Sequence, residues 1–363
     1  MSKDQADSLD SIVESSRPQQ GEPPAELNDP RNVLVFDRLS SGRARDAAPD
    51  QPKKGRDGRV AISDPDTVLG IALDAVEPVT PETIAAELAE KRSADDSAGA
   101  DADAYIPDWA GVSTMPTMAP GLVRESLVRR SGTRVRPEGV ILPDGRSPYY
   151  PNTYPFNIVG RIFVWRDATT PSYSSRATAS LLGVRTIMTA SHVVPWGSSN
   201  WKALFVPAYY DGGSWAASWV TNARGYNPHV QGDDMAVLRL DVPLGNNLGW
   251  FGFKTYTDDW EDKNWWTLPG YPKDKDGGMR PWLHANFPII DDDNDGAGVE
   301  LEYRADTEEG QSGSPVYAWF DGAPYVVGTH SGTEDNFGEP TQNVAAGGAA
   351  LTNLLHWARA NWP

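Results

Sequence analysis

The sequence predicts an all-β protein that ends in a single helix, and three observations carry the prediction. Residues 140–363 break into short runs rich in β-branched and aromatic residues, divided by Gly, Pro, Asn and Asp turns. Helical spacing of apolar residues occurs in that stretch only at its end, in AALTNLLHWARANW, where Leu351, Leu354, Leu355 and Ala358 share a face. The first third is a different kind of chain: of 14 tryptophans only Trp109 precedes residue 140, and all five histidines follow it.

Residues 1–60 are rich in Pro, Asp, Ser, Gln and Arg, with too few large apolar side chains to offset the entropy of ordering. TPETIAAELAEKR at 80–92 predicts a short helix, with Thr80 as N-cap, Pro81 in the first turn, and Ile84 and Leu88 on one face. SADDSAGADADA after it reads as linker. Residues 1–139 are therefore expected to be mostly disordered apart from that helix, and 140–363 to form the folded unit. Its clearest strands are FNIVGRIFVW, ATASLLGV, RTIMTA, KALFVPAYY, DMAVLRL, NWWTLPGY, VELEYRA, SPVYAWF and PYVVGTHSG. Neither an internal repeat nor a run of 18 apolar residues is visible, which argues against a solenoid and a membrane-spanning helix. With no cysteine in the chain, stability must come from the core, its aromatic residues above all. The net charge of −18, with no basic cluster to offset it, argues against nucleic acid or an anionic membrane as partner.

The functional signal is GQSGSP at 310–315, which sets Ser312 on a tight turn. Glycine at 310 and 313 permits positive φ and close approach, so the amides of Gly310 and Ser312 can converge on a developing oxyanion. Alone, the string is also an ordinary surface turn. Two upstream segments supply partners. TIMTASHVV at 186–194 reads as a strand with His192 on the turn that follows, and DDMAVLRLDVPL at 233–244 as an alternating strand with an acidic start. A serine hydroxyl is a poor nucleophile at its free pKa, so a neutral imidazole must take its proton and a carboxylate must hold that imidazole in the right tautomer. His192, Asp234 and Ser312 can fill those roles, with Asp233 competing for the acid. The bland alternatives are a histidine satisfied at a strand end and an aspartate that caps a turn. His229, His284 and His356 read as surface-loop, strand and helix positions with no neighbouring signature.

The order His, Asp, Ser is that of the chymotrypsin-like serine proteases. Within them the chain resembles the cysteine-free bacterial glutamyl endopeptidase branch, typified by staphylococcal V8 protease. TASHVV, DDMAVLRL, GYPKDK at 270–275, GQSGSP and GTHSG at 328–332 carry the resemblance, with VILPDGR at 140–146 similar to a mature amino terminus of that branch. The resemblance implies a trypsin-like double antiparallel β-barrel with its active site in the cleft, and a serine endopeptidase acting on protein or peptide substrates with no required cofactor. It places the acid directly before Met235-Ala236, hence Asp234. It also implies a zymogen, with residues 1–139 as propeptide and Val140 as the new terminus near the specificity pocket.

By the same resemblance His330 meets a glutamate side chain, Thr307 stands in the pocket wall, and Ser331, Gly332 and Thr333 form an exposed edge that pairs with substrate backbone. A buried carboxylate needs hydrogen bonds and compensation, which imidazole, hydroxyl and α-ammonium together can supply. Two departures matter. Gln311 stands where the aspartate that receives a new α-ammonium is common, so that ion pair is unavailable. Asp306, Glu308 and Glu309 surround Thr307 and, if turned into the pocket, would repel glutamate and favour a basic residue. A protease of different preference, an inactive trypsin-fold binding protein, and an uncleaved adaptor role for residues 1–139 are the alternatives. That branch is largely secreted, whereas MSKDQADSLDSIVESS lacks the apolar stretch of a secretory signal, so export by a non-classical route is expected, with cytoplasmic retention as the alternative. Oligomeric state leaves no signature.

One motif stands apart. DDDNDGAGVELE at 291–302 has Asp291, Asp293, Asp295, Gly296 and Glu302 at the spacing of a calcium loop. FPII before it and VELEYR after it read as strands, so a solvated acidic hairpin loop is the expected form, with calcium the alternative occupant.

Overall fold

A computed structural model of the chain describes residues 76–91, 101–119, 140–141, 144–170, 172–214, 216–336 and 339–363. The disorder expected of residues 1–60, most of the linker after residue 92, and the Gly139 side of the expected cleavage point lie outside the described residues.

The first half of the folded unit is a closed six-stranded barrel. Its strands are β2 (Val159–Trp165), β3 (Ser175–Leu181), β4 (Thr186–Thr189), β5 (Lys202–Pro207), β6 (Ser218–Gly225) and β7 (Ala236–Leu240), in the order β2-β3-β4-β7-β6-β5. Every residue of β2 and β5 is buried, Arg161 and Lys202 included, so apart from those two both strands are apolar throughout rather than alternating. The register Thr189↔Ala236 sets the end of β4 beside the start of β7, and the residues just beyond each strand meet at one end of the barrel.

The second half is a nine-stranded sheet. Eight strands follow the order β1-β10-β9-β13-β14-β15-β12-β11: β1 (Ser147–Pro148), β9 (Trp266–Gly270), β10 (Trp282–Phe287), β11 (Ile289–Asp295), β12 (Gly298–Tyr303), β13 (Pro315–Phe320), β14 (Ala323–Asn336) and β15 (Glu339–Gly347). The ninth, β8 (Gly252–Phe253), pairs parallel to β14. The first expected barrel thus closes through backbone hydrogen bonds, while the second is a sheet whose ladder runs open from β1 to β11. An aromatic cluster of Tyr256, Trp260, Trp266, Phe287, Tyr303 and Phe320 fills its core, in place of disulfides.

Helix α1 (Pro81–Lys91) is the helix expected from the sequence: the Thr83 amide donates to Thr80 Oγ1, and Ile84 and Leu88 are buried. It rests against the C-terminal helix, which spans Gly348–Asn361. Glu87 pairs with Arg224 and accepts from Trp357, while Lys91 Nζ donates to Asn361 Oδ1 at 2.6 Å. Residues 101–119, whose start reads as linker, are also built in. Ala102 and Tyr105 form antiparallel bridges to Phe253 and Trp250, and Val112 and Met118 bridge Tyr154 and Tyr149. Composition gave no hint of this docking, because these residues take their order from edges that another segment offers.

The acidic run takes a different form from the expected loop. Asp291, Asp293 and Asp295 lie along strand β11, opposite Glu302, Glu300 and Gly298 of β12, and only the turn between Asp295 and Gly298 is loop. Alternate strand residues stand about 7 Å apart, so these carboxylates cannot wrap one ion as a calcium loop does. Among the described residues no group of three or more His, Cys, Asp or Glu side chains is placed to hold a metal.

Candidate active site

His192 follows β4 in a single 3-10 turn, Ser191–Val193, and Asp234 precedes β7, so the register that joins those strands brings the two together. His192 Nδ1 lies 2.6 Å from Asp234 Oδ2, and the His192 amide donates to Asp234 Oδ1 at 2.8 Å. Ser331 Oγ donates to the same Oδ2 at 2.6 Å. Asp234 is only 3 % exposed. Burial by itself would raise its carboxyl, but the hydrogen bonds of His192 and Ser331, with the attraction of His192, outweigh it and hold the group below the usual carboxylate range. Asp233, the competitor, accepts from the amides of Ala297 and Gly298 and pins the β11–β12 turn.

Ser312 enters from the second half on the turn between β12 and β13. Gly310 and Gly313 hold φ of 98° and 85°, and a Cβ at Gly313 would stand 2.2 Å from Thr189 Oγ1. Thr178 of β3 clamps this turn: its amide donates to the Ser312 carbonyl at 2.9 Å and its hydroxyl to the Gly310 carbonyl at 2.8 Å. The Gly313 amide donates to the His330 carbonyl, whereas among the described residues the amides of Gly310 and Ser312 donate to no protein group. Two free amides beside a serine are what an oxyanion hole requires. The Ser312 hydroxyl also makes no hydrogen bond among the described residues, so the His192–Ser312 link is open here, as is common in an unliganded site.

The residues expected to line the pocket divide. His330 is 3 % exposed; Tyr303 Oη lies 2.7 Å from its Nδ1, and the Val344 carbonyl 3.1 Å away. Burial, with His192 nearby, pushes its pKa down to about 4, so the ring is neutral at pH 7. Thr307 is buried. Thr333 donates its hydroxyl to Asn343 Oδ1 at 2.7 Å. Ser331 is not on an exposed edge as expected: it is buried, because its side chain turns inward to Asp234.

Two of the three acids around Thr307, Asp306 and Glu309, are engaged elsewhere, while Glu308 Oε1 accepts from the Glu309 amide. Asp306 accepts from the amides of Ile141 at 2.7 Å and Gly145 at 2.6 Å, and its own amide donates to His284 Nδ1, a histidine for which the sequence offers no role. Glu309 pairs with Lys273. Val140, 2 % exposed, is therefore held beside Asp306 through its neighbour Ile141.

Sequence reasoning also missed Arg146. Its guanidinium, with no exposed surface, pairs with Asp144 and Asp274 and donates to Gln311 Oε1 at 3.2 Å. Three of the strings that carry the family resemblance thus meet in one network behind the nucleophile turn. Their recurrence was the only available signal, and it does not say that the strings touch.

Fold and site together define a serine protease of the two-lobed β kind. The Trypsin family profile matches residues 159–357, more than half of the chain, and the chain belongs to that family. A glutamyl endopeptidase of Bacillus licheniformis is 32% identical over 148 residues, which is 39% of this chain and 44% of that protein. The chain therefore matches less than half the length of that relative. A protein of Bacillus subtilis named extracellular metalloprotease is 23% identical over 80% of this chain and 95% of its own length. The solved structure of a Glu endopeptidase in complex with MPD superposes with a TM-score of 0.51 at 22% identity, covering 61% of this chain and 99% of that one, a likeness of fold.

Proposed function

We propose that the protein is a serine endopeptidase that cuts after glutamate and is made as a precursor trimmed before Val140. The observation that carries the catalytic part is the His192–Asp234–Ser331 chain of hydrogen bonds beside two unspent amides at the Ser312 turn. Ser312 Oγ attacks the scissile carbonyl. His192 Nε2 takes the proton and returns it to the leaving amine, while Asp234 keeps the imidazole proton on Nδ1 and stabilises the imidazolium. The amides of Gly310 and Ser312 hold the oxyanion.

Glutamate preference is supported by His330 and by two acids that turn away, Asp306 and Glu309. Tyr303 Oη and the Val344 carbonyl both meet His330 Nδ1, at 2.7 and 3.1 Å, so Nε2 is the ring nitrogen left to face a carboxylate. Asp306 is spent on backbone amides and Glu309 on Lys273, so neither need repel an acidic side chain. After cleavage before Val140, the new α-ammonium would add positive charge beside Asp306 and the pocket, without the aspartate that Gln311 replaces. A metal of the kind the second relative's name implies finds no fitting donor set among the described residues. Export accords with the name of that relative.

A fluorophosphonate probe and a peptide library test the reading. Wild type is expected to take the label at Ser312 and to cut after Glu, with His330→Ala losing that preference. Folded protein that takes no label, or cuts after Lys or Arg in wild type, would sink it.

A further inference from the structure

We propose that residues 76–91 and 101–119 stay bound after the chain is cut before Val140, as a non-covalent second chain that braces the wall carrying His192. The proposal rests on the reading of the protein as a precursor trimmed at that point.

The seat for this segment is built into the catalytic unit. Ile84 and Leu88 of α1, with Ala110, are buried in the same core cluster as the barrel strands, and Val76, Val79, Ile106, Trp109 and Val112 pack against it. Their departure would open an apolar patch of that core to water, which makes it unfavourable. Ala102 exchanges two backbone hydrogen bonds with Phe253, and Tyr105 exchanges two with Trp250. Glycines of the catalytic unit make room for this approach. A Cβ at Gly249, where φ is 85°, would stand 2.4 Å from the Tyr105 carbonyl oxygen, and one at Gly252 would stand 2.9 Å from that of Ala102. Charged groups surround the contact: Arg224 pairs with Glu87 at 2.8 Å, Lys254 pairs with Asp101, and Arg359 donates to the Asp103 carbonyl at 3.1 Å. Cutting the tether removes an effective concentration of about a millimolar, so retention requires a contact of this quality.

The residues it touches point to its role. Among the described residues, its hydrogen bonds and ion pairs fall on none of His192, Asp234, Ser312 and His330, so it does not fill the cleft as an inhibitor would. It grips two loops beside His192 instead. The Gly197 amide donates to the Val76 carbonyl and the Val79 amide to the Gly225 carbonyl, both at 2.9 Å. Ser191 Oγ donates to the Tyr226 carbonyl, and Trp196 Nε1 to the Ser191 carbonyl at 2.9 Å. The loop after His192 and the one that leads from β6 to Asp234 are thus tied to each other through Ser191, and to one strut through Val76 and Val79. Fixing both sides of the base keeps its ring in place for proton transfer.

The test inserts a recognition sequence for an exogenous protease after Arg130 in full-length Ser312→Ala protein, so that the chain can be cut without self-processing. The two fragments are expected to elute together at about 10 nM, where a complex with a Kd of about 1 μM would come apart. In Ile84→Ala/Leu88→Ala the uncut protein should stay folded and the cut fragments should separate; Glu87→Ala/Lys91→Ala serves if the apolar pair does not fold uncut. With Ser312 intact, release in the variant should lower kcat about tenfold with KM little changed, and the loss should reverse as the concentration rises and the fragments rebind. Unsubstituted fragments that part at about 10 nM would overturn retention, and a released form with full kcat would overturn the brace. The amino terminus of self-processed wild type is read separately: a terminus other than Val140 sinks the maturation reading, while elution after the inserted cut still judges the contact.

Discussion

Asp234 and Glu300 are both carboxylates almost closed to water, one behind His192 and the other on the outer face of β12, and they are in opposite condition. Asp234 accepts hydrogen bonds from the His192 ring, the His192 amide and Ser331, and is held below the usual carboxylate range. Glu300 has an oxygen without a partner, stands among other acids, and is held above it. Burial acts on both in the same direction; partners decide the sign. A satisfied acid can orient a base through every turnover, whereas an unsatisfied one costs stability wherever it ionises. The network of Asp144, Asp274 and Arg146 shows the third case, in which a buried cation supplied by the chain itself compensates two acids.

The largest expected effect is at the nucleophile. Ser312→Ala should lower kcat by a factor of about 10⁶ with unchanged circular dichroism, and any smaller loss would transfer the chemistry to another group. Asp234→Asn should cost about 10⁴ in kcat, because the amide favours the wrong tautomer of His192. It should also lower the Tm at pH 7. The carboxyl is depressed in the folded state, so its contribution is present above the ordinary range and lost as pH falls through the depressed value.

Arg146→Met removes the buried cation that pairs with both Asp144 and Asp274, leaving them only Lys275, and should destabilise the protein by about 3 kcal/mol in urea unfolding. A variant as stable as wild type would show that the network is not compensated through Arg146. Ser331→Ala removes one charge-assisted bond to Asp234 and should cost about tenfold in kcat/KM. Glu300→Gln is the smallest change and has the opposite sign. The folded state keeps a proton on Glu300 between the ordinary value of 4.5 and about 7, where the unfolded state has released it, so stability falls as pH rises through that window. The variant should therefore gain about 3 °C in Tm at pH 8 and nothing at pH 4. A loss at pH 8 would mean that Glu300 is compensated within the chain, and the contrast with Asp234 would disappear.

Much of this was legible in the residues. The strands FNIVGRIFVW, RTIMTA, DMAVLRL and SPVYAWF announce themselves by β-branched and aromatic runs, and helix α1 by its cap and its Ile84–Leu88 face. β15 does not: Glu339–Gly347 contains Pro, Asn, Ala and Gly, poor strand formers, and it is a strand because β12 and β14 pair with it from both sides. Small residues are required there, since a Cβ at Gly347 would come within 2.8 Å of the Val327 carbonyl oxygen. The acids around Thr307 were legible as residues and not as directions. Asp306 turns toward Ile141 and Gly145, more than 160 positions earlier in the chain, and no local pattern encodes that choice.

The sequence by itself determined the chemistry on offer: a serine between glycines, a histidine after one strand, an aspartate before another, and the β-rich unit to carry them. Those are local properties, set by residue type and short spacing. The tertiary structure decided which of many acids are satisfied. It joined His192 to Asp234 through strand register, turned Ser331 inward, fixed Gln311 on Arg146, docked residues 101–119 against Tyr149, Tyr154, Trp250 and Phe253, and left Glu300 with an open oxygen. Whether a carboxylate is compensated depends on groups brought within a few ångströms from distant parts of the chain, and only the folded arrangement specifies them.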